Sequence, residues 1–297
     1  MLPVAALLVF VMQAANAQQS GANSKATAGS APGVQTYVRD VAEKLGMLRS
    51  VNRIDALNYI EYWATGTGYA PGPQGKPDGP RTAFKVTYHA GIGFPFPAMR
   101  VDVTRSNPDG PIQGGGGLPL GAPQRQIQVV NGDIAWNESE PGAGLVPGEG
   151  VATLAPGAAN DRLLQIWLTP YGAMKAAIKA EAEVKLTEEK GTTVLTFPFS
   201  GTTMKVTVNE KKLVDRVGIT RGDTVTEATY SKYDDYGDEK SGTMFPGHIV
   251  IKQGGLPIFD LTTTKDEPNN PYLIFPVPEN IKKASAQSPE PAKVDIR

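Results

Sequence analysis

Residues that commonly carry catalytic or metal chemistry are sparse in this chain of 297 residues, which has two histidines and no cysteine. His89 and His248 each lie in a run typical of a β-strand. Neither has a partner at the H-x-H, H-x-x-H or H-E-x-x-H spacing of metal sites. We therefore interpret both as ordinary sheet residues. A Ser-His-Asp triad stays open on residue counts, but the G-x-S-x-G turn of many hydrolases is absent.

Acidic residues form one cluster, Asp234, Asp235, Asp238 and Glu239, in the stretch SKYDDYGDEKSG. A calcium loop requires a D-x-D-x-D-G-like order of ligands, which this stretch does not have. We predict a solvated hairpin turn here. The sequence therefore predicts no catalytic residue, no metal site and no cofactor.

Four consecutive glycines, Gly114, Gly115, Gly116 and Gly117, are the stretch most suggestive of a phosphate-binding loop. A P-loop requires G-x-x-x-x-G-K-[ST], and no Lys-Ser or Lys-Thr follows these glycines. The next segment, 124–130, has the pattern of a strand, so no helix N-terminus is expected to hold a phosphate. We predict a mobile loop between two strands, at a rim where it could gate a cavity.

Large aromatic side chains are the more informative group. Trp63, Phe94, Phe96, Trp136 and Trp167 come from separate predicted elements. Most such residues belong to a core, but some would line an apolar cavity if a curved sheet were incompletely filled. Cavities between a sheet and its covering helices are common ligand sites. These five residues and the four glycines are therefore our candidates for a ligand cavity or its rim.

The composition is that of a globular protein, with 40% hydrophobic residues, 20% charged residues and a net charge of −1. This balance gives no general attraction for nucleic acid or an anionic membrane surface. Residues 2–12 are apolar but too short to cross a bilayer, and Ala15-Asn16-Ala17 fits a cleavage site. We predict a signal peptide over 1–17 and no transmembrane segment. The alternative is a buried N-terminal element.

The rest of the chain reads as one domain. We predict a disordered polar linker over 18–33, a single domain over 34–280 and a disordered tail over 281–297. Apolar residues recur at helical spacing over 34–48. A second helix begins near Asn160, and a third follows it, because Thr-Pro at 169–170 fits an N-cap and first helical position.

Most of the domain is expected to be sheet. Short runs rich in Val, Ile, Thr, Tyr and Phe alternate with turn signals such as Asn131-Gly132, Ser200-Gly201 and Gly254-Gly255. Tight connections favour antiparallel neighbours in meander order. We therefore predict an α+β fold, with a long antiparallel sheet of roughly ten or more strands. A sheet of this length should curl, so that the helices cover its concave side.

Three segments together resemble a known family. They are GGGGLPLGAPQRQIQVVNGDIAWNE, DRLLQIWLTPYGAMKAA and TYSKYDDYG followed by GTMFPGHIVIKQGGLPIFDLT. Over about 35–280 the chain resembles the N-terminal region of exported bacterial hydrolases of the metallo-β-lactamase (MBL) fold. That region is similar to the lipoprotein carriers LolA and LolB. The resemblance implies an open, curved half-barrel in a periplasmic or secreted protein.

The H-x-H-x-D-H metal motif of those hydrolases is absent, and the chain ends at PAKVDIR, about where their catalytic domain begins. We therefore expect no enzymatic activity. The chain would be either a free-standing version of the N-terminal domain or a truncated reading frame. The favoured hypothesis is an exported domain that binds an apolar ligand or lipid in a half-barrel cavity. The alternatives are an accessory domain that works with a metallo-hydrolase, and a hydrolase with an unrecognised site.

Overall fold

The computed structural model describes residues 31–70, 81–112, 119–189 and 191–287. The predicted signal peptide over 1–17, most of the predicted linker and Gly114–Gly117 lie outside these residues. Within them there are four α-helices, in chain order α1 Ala31–Lys44, α2 Ala159–Leu168, α3 Pro170–Ala180 and α4 Glu279–Ala286.

Strands make up most of the described chain. In chain order they are β1 Leu48–Arg49, β2 Ile54–Asp55, β3 Tyr59–Ala70, β4 Thr82–Gly93, β5 Ala98–Ser106, β6 Gln124–Asn131, β7 Ile134–Glu138, β8 Ala152–Leu154, β9 Lys185–Glu189, β10 Thr192–Phe199, β11 Thr202–Val208, β12 Val214–Arg221, β13 Thr224–Asp234, β14 Phe245–Gln253 and β15 Leu256–Pro268.

Thirteen of these strands form one antiparallel sheet, and β1 and β2 form a separate small ladder. The sheet runs in the order β8-β7-β6-β5-β4-β3-β15-β14-β13-β12-β11-β10-β9. Every neighbour follows its predecessor in the chain except where β3 pairs with β15. The sheet is not closed within the described residues, because β8 and β9 are its two edges. The predicted α+β class and long antiparallel sheet are confirmed.

The sheet bends around its helices. Helix α2 contacts β5, β6 and β7, and it also contacts β12. Strand β12 lies six positions from β5 in the sheet, a distance of roughly 29 Å if the sheet were flat. A ten-residue helix is only about 15 Å long. The two parts of the sheet must therefore turn towards each other to contact the same helix.

The main core fills the space between the sheet and helices α1, α2 and α3, on what we call the inner face. Aromatic rings occupy much of it. Tyr62 packs on Tyr88 with ring centroids 5.6 Å apart, and Phe245 lies between Tyr62 at 4.8 Å and Tyr171 at 6.0 Å. All four side chains are buried. Most of the inner face is therefore packed rather than hollow.

A second core lies on the opposite, outer face of the sheet. After β15 the chain crosses β4, β5 and β6 and reaches β8 as α4. Its anchors include Asn131 Nδ2, which donates to the Phe275 carbonyl at 2.8 Å, and Asn280 Nδ2, which donates to the Ala152 carbonyl at 2.9 Å. The core of this face consists of Ala98, Ile127, Val129, Trp136, Ala152, Phe275 and Ile281.

The predicted tail over 281–297 differs from the structure in its first part. Residues 281–286 continue α4, and Ile281 is 1% exposed in the outer core. The Lys, Ser and Pro content of the segment concealed the single apolar residue that anchors the helix. The remainder of the predicted tail, from residue 288 onwards, lies outside the described residues.

The acidic cluster over 234–239 forms part of the connection between β13 and β14, as predicted, but it is not wholly solvated. The Asp235 side chain accepts hydrogen bonds from the Gly242 N–H at 2.7 Å and the Gly237 N–H at 3.3 Å. Asp235 is only 8% exposed as a result. Its carboxylate therefore holds the connection together, while Asp238 faces solvent beside Lys265.

Candidate ligand-binding cavity

Helices α2 and α3 position the tryptophan that defines the candidate site. Thr169 is extended, and its Oγ1 accepts from the Gly172 N–H at 3.0 Å, which confirms the predicted N-cap of α3. Pro170 occupies the first position of α3, where its missing N–H costs nothing. This break places Trp167 near the end of α2, where the helix faces the ends of β10 and β12.

A cavity of about 350 Å³ lies between α2 and two hairpin turns. One turn joins β10 to β11 through Ser200 and Gly201, and the other joins β12 to β13 at Gly222. Ser200 and Gly201 both have positive φ, +49° and +71°, which matches the twist of a two-residue hairpin. This volume is at the small end of the range for ligand pockets.

The inner wall of the cavity is apolar. The ring centroids of Trp167 and Phe199 are 5.5 Å apart, and the planes are tilted by 57°. Leu164, one turn before Trp167 in α2, completes this wall. The polar residues Ser200 and Thr202 lie on the side of the turns, with Asn160 at the start of α2. The cavity thus has one apolar side and one polar side.

Three buried polar atoms at the cavity have no hydrogen-bond partner within the described residues. They are Trp167 Nε1, Ser200 Oγ and Thr202 Oγ1. Trp167 is 9% exposed, so its indole N–H is removed from bulk water. A buried donor without a partner costs on the order of 1–3 kcal/mol. A ligand with an acceptor group could recover part of that cost.

One ion pair borders the cavity. Arg221, the last residue of β12, lines the cavity and donates from Nη1 to Asp161 Oδ1 of α2 at 2.6 Å. The side chains are 47% and 73% exposed, which places the pair at the mouth rather than the floor. Among the described residues that line the cavity, Arg221 is the one with a charged side chain.

The structure separates the predicted aromatic candidates rather than bringing them together. Trp167 lines the cavity. Trp136 is fully buried in the outer core, and Trp63 is half-buried on the outer face, where it stacks on His89 with centroids 4.6 Å apart. Phe94 is buried beside Lys175, with Nζ 5.0 Å from the ring centroid, and Phe96 is 82% exposed in the turn between β4 and β5.

The four glycines, Gly114 to Gly117, lie outside the described residues. The strands on either side of them are described, and the chain leaves β5 at Ser106 and re-enters the sheet at Gln124. Lys85 pairs with Ser106, and Phe259 pairs with Gly68. These registers place the two strand ends at the same end of the strands as the turns at Ser200 and Gly222. The prediction that the glycines lie at a rim stays a prediction.

The two histidines lie on the outer face, each beside a carboxylate. His89 Nε2 is 2.7 Å from Glu61 Oε1, and His248 Nε2 is 2.8 Å from Asp260 Oδ1. Ser231 Oγ is 3.4 Å from the other ring nitrogen of His248, so β13, β14 and β15 present a hydroxyl, an imidazole and a carboxylate in a row. These three side chains come from neighbouring strands, so sequence spacing could not reveal that they lie together. They lie on the face of the sheet opposite the cavity.

Sequence reasoning missed most of the cavity. The sequence marks Ser200 only as part of a turn, and it gives no sign that Arg221 or Leu164 lies beside Trp167. The available signal was the Thr-Pro break after Trp167, which fixes where α2 ends.

No group of three or more His, Asp or Glu side chains in the described ranges could hold a metal ion. No helix in the same ranges is long and apolar enough to cross a membrane.

Neither a family model nor a curated protein matches this chain.

Proposed function

We propose that this protein binds a small amphipathic ligand in the cavity between α2 and the turns at Ser200 and Gly222, and that it does so without catalysis. The observation that carries the proposal is a 350 Å³ space with an apolar wall and an unpaired indole N–H. Burial of apolar ligand surface against Trp167, Phe199 and Leu164 would supply affinity. A ligand acceptor near Trp167 Nε1 or the hydroxyls would supply orientation.

The size of the cavity favours a ligand with one alkyl chain. The cavity lies at one end of the sheet, next to the packed aromatic core of the inner face. A bulky ligand would have to displace packed side chains, which is costly in a close-packed interior. A single narrow chain with a polar end matches both the shape and the two-sided chemistry of the lining.

The proposal extends to the fold and the location of the protein. We propose that the bent sheet is an open half-barrel of the LolA/LolB type and that the protein is exported. Support for the half-barrel comes from the contacts of α2 with two distant parts of the sheet. Support for export comes from the apolar run and Ala-Asn-Ala site over residues 2–17.

Calorimetric titration with decanol tests the binding proposal. Wild-type protein is expected to bind decanol, and Leu164→Trp, which fills the cavity, is expected to weaken binding at least tenfold. Leu145→Trp is the matched control, because Leu145 is 40% exposed on a loop away from the cavity. It should bind as the wild type does. Equal binding by Leu164→Trp, or no binding by any variant, would refute the proposal.

A further inference from the structure

We infer that the ligand carries a carboxylate and that Arg221 selects it, exchanging its bond to Asp161 for a bond to the ligand. This inference rests on the function proposed above. It states which ligand head group the polar end of the cavity would select. The apolar wall alone cannot distinguish between head groups.

The charge distribution at the mouth supports an anionic ligand. Arg221 lines the cavity, whereas the carboxylate of Asp161 contacts it from outside the lining. No carboxylate belongs to the described lining. A molecule that enters with its alkyl chain towards Trp167 therefore leaves its head group beside one positive charge and the hydroxyl residues Ser200 and Thr202.

The geometry of arginine favours a carboxylate as the head group. A guanidinium presents several N–H donors in a planar fork that matches the two oxygens of a carboxylate. Only Nη1 of Arg221 is engaged by Asp161, at 2.6 Å. The remaining donors lie on a half-exposed side chain at the cavity mouth. One positive charge also balances one carboxylate, whereas a phosphate monoester would bring a second negative charge.

Asp161 is suited to act as a removable partner. Its side chain is 73% exposed, and an ion pair at that exposure is screened by water and contributes little to stability. Exchanging it for a ligand carboxylate in a partly dry cavity would therefore cost little. Asp161 also links the first turn of α2 to the end of β12, so the exchange would loosen that link when the ligand binds.

The hydroxyl side chains would hold the second half of the head group. Ser200 and Thr202 both line the cavity, and Thr202 is the cross-strand partner of Phe199, so its side chain lies on the same face of the sheet as that ring. Their hydroxyls can donate to a carboxylate oxygen that Arg221 leaves free. Ser200 Oγ and Thr202 Oγ1 have no hydrogen-bond partner within the described residues.

The test compares decanoate with decanol, at a pH where the acid is fully ionised, by calorimetry on the wild type, Arg221→Gln and Asp161→Asn. Decanoate is expected to bind the wild type about tenfold more tightly than decanol. Arg221→Gln should abolish this difference, because it weakens the binding of the charged decanoate about tenfold and that of the neutral decanol much less. Asp161→Asn should tighten decanoate binding about threefold, because Arg221 is released from its competing partner.

Asp223→Asn is the matched control. Asp223 lies in the same turn as Arg221 but outside the described lining, so the variant removes the same charge without freeing Arg221. It should change decanoate binding much less than Asp161→Asn does. Equal enhancement by both variants would show a general charge effect and overturn the exchange.

The outcomes separate this inference from the proposed function. If decanol and decanoate bind equally and Arg221→Gln affects neither, the cavity binds ligand but the carboxylate assignment is wrong. If neither compound binds the wild type, the proposed function itself fails and the inference fails with it.

Discussion

Each face of the sheet buries a tryptophan, but the two indole N–H groups differ in their hydrogen bonding. On the outer face, Trp136 is fully buried and its Nε1 donates to Glu138 Oε1 at 3.0 Å. On the inner face, Trp167 is 9% exposed and its Nε1 has no partner within the described residues. The outer indole N–H is satisfied by the protein itself, whereas the inner one leaves a hydrogen bond unmade within the described residues.

The buried carboxylates show the same contrast. Glu138 accepts from Trp136, from Arg100 Nε at 3.0 Å and from the Gly142 N–H at 2.9 Å. Asp266, on the inner side, is 0% exposed, and its Oδ2 has no partner in the described part of the chain. Complete hydrogen bonding is characteristic of a structural core, and incomplete bonding is often found where function has been retained.

Removing Trp136 should give the largest effect. Trp136→Ala would create a void in the outer core and leave Glu138 without one donor, so we expect a loss of about 3–5 kcal/mol in the free energy of unfolding. Trp136→Phe removes mainly the N–H and should cost less. Urea unfolding of both variants measures this. A loss under 1 kcal/mol for Trp136→Ala would show that the outer face is not a core.

Arg162 links α2 to β6 and β7, and its removal should give the next largest effect. This residue of α2 is 6% exposed and donates to the carbonyls of Val129 and Trp136 and to Asn137 Oδ1. Burial lowers the pKa of its guanidinium to about 10, so it remains charged at neutral pH.

Arg162→Met would remove three hydrogen bonds that hold α2 against β6 and β7, and we expect a loss of about 2–3 kcal/mol. Removal of the buried charge offsets part of the cost. Arg216→Met, at a position with 55% side-chain exposure, is the control and should change stability by under about 0.5 kcal/mol. Equal effects of the two substitutions in chemical denaturation would contradict the assigned role of Arg162.

Asp266 should make stability depend on pH. Burial raises the pKa of the Asp266 carboxyl to about 6, the neighbouring Asp235 adds to the shift, and the Tyr236 N–H opposes it. Because the folded-state pKa lies above the ordinary value of 3.8, folding favours the protonated form. Stability from this group is therefore complete below pH 3.8 and is lost as the pH rises through about 6.

The expected loss over that interval is up to about 3 kcal/mol. Asp266→Asn should remove this part of the pH dependence and stabilise the protein at neutral pH, by about 1–2 kcal/mol. Unfolding measured across the interval for both proteins provides the test. Parallel pH profiles for the two proteins would show that Asp266 does not titrate as proposed.

Trp167→Phe should give the smallest effect on stability. It tests directly whether Trp167 differs from the core residue Trp136. Phenylalanine keeps an apolar ring beside Phe199 and removes an N–H that has no partner, so we expect a change of under about 1 kcal/mol. The same variant should weaken binding of decanol, because the smaller ring offers the alkyl chain less apolar surface. A stability loss as large as that of Trp136→Ala would place Trp167 in the core.

Much of the fold could be predicted because local signals agree with it. Alternating β-branched residues and tight turns mark the strands, and the Thr-Pro pair at 169–170 marks the break between two helices. The outer core was less accessible. It depends on Phe275 and Ile281, which stand among polar residues and prolines, and a lone apolar residue has no period to reveal its burial.

The cavity could not be predicted from the sequence, because the curvature of the sheet around α2 creates it. Trp167 meets Phe199 and Arg221 only when the sheet bends around α2, and no local pattern specifies the extent of that bend. The sequence could nominate Trp167 as one of several aromatic candidates. It could not separate Trp167 from Trp136, since both lie in regular elements and differ only in what covers them.

The most direct test of the account is a crystal structure of the protein with a terminally brominated alkanol. Anomalous scattering locates bromine independently of the rest of the ligand. We expect a bromine peak beside Trp167 and Phe199, with the hydroxyl end of the ligand towards Ser200 and Arg221. A cavity that stays empty at saturating ligand, or a peak only on the outer face, would contradict it.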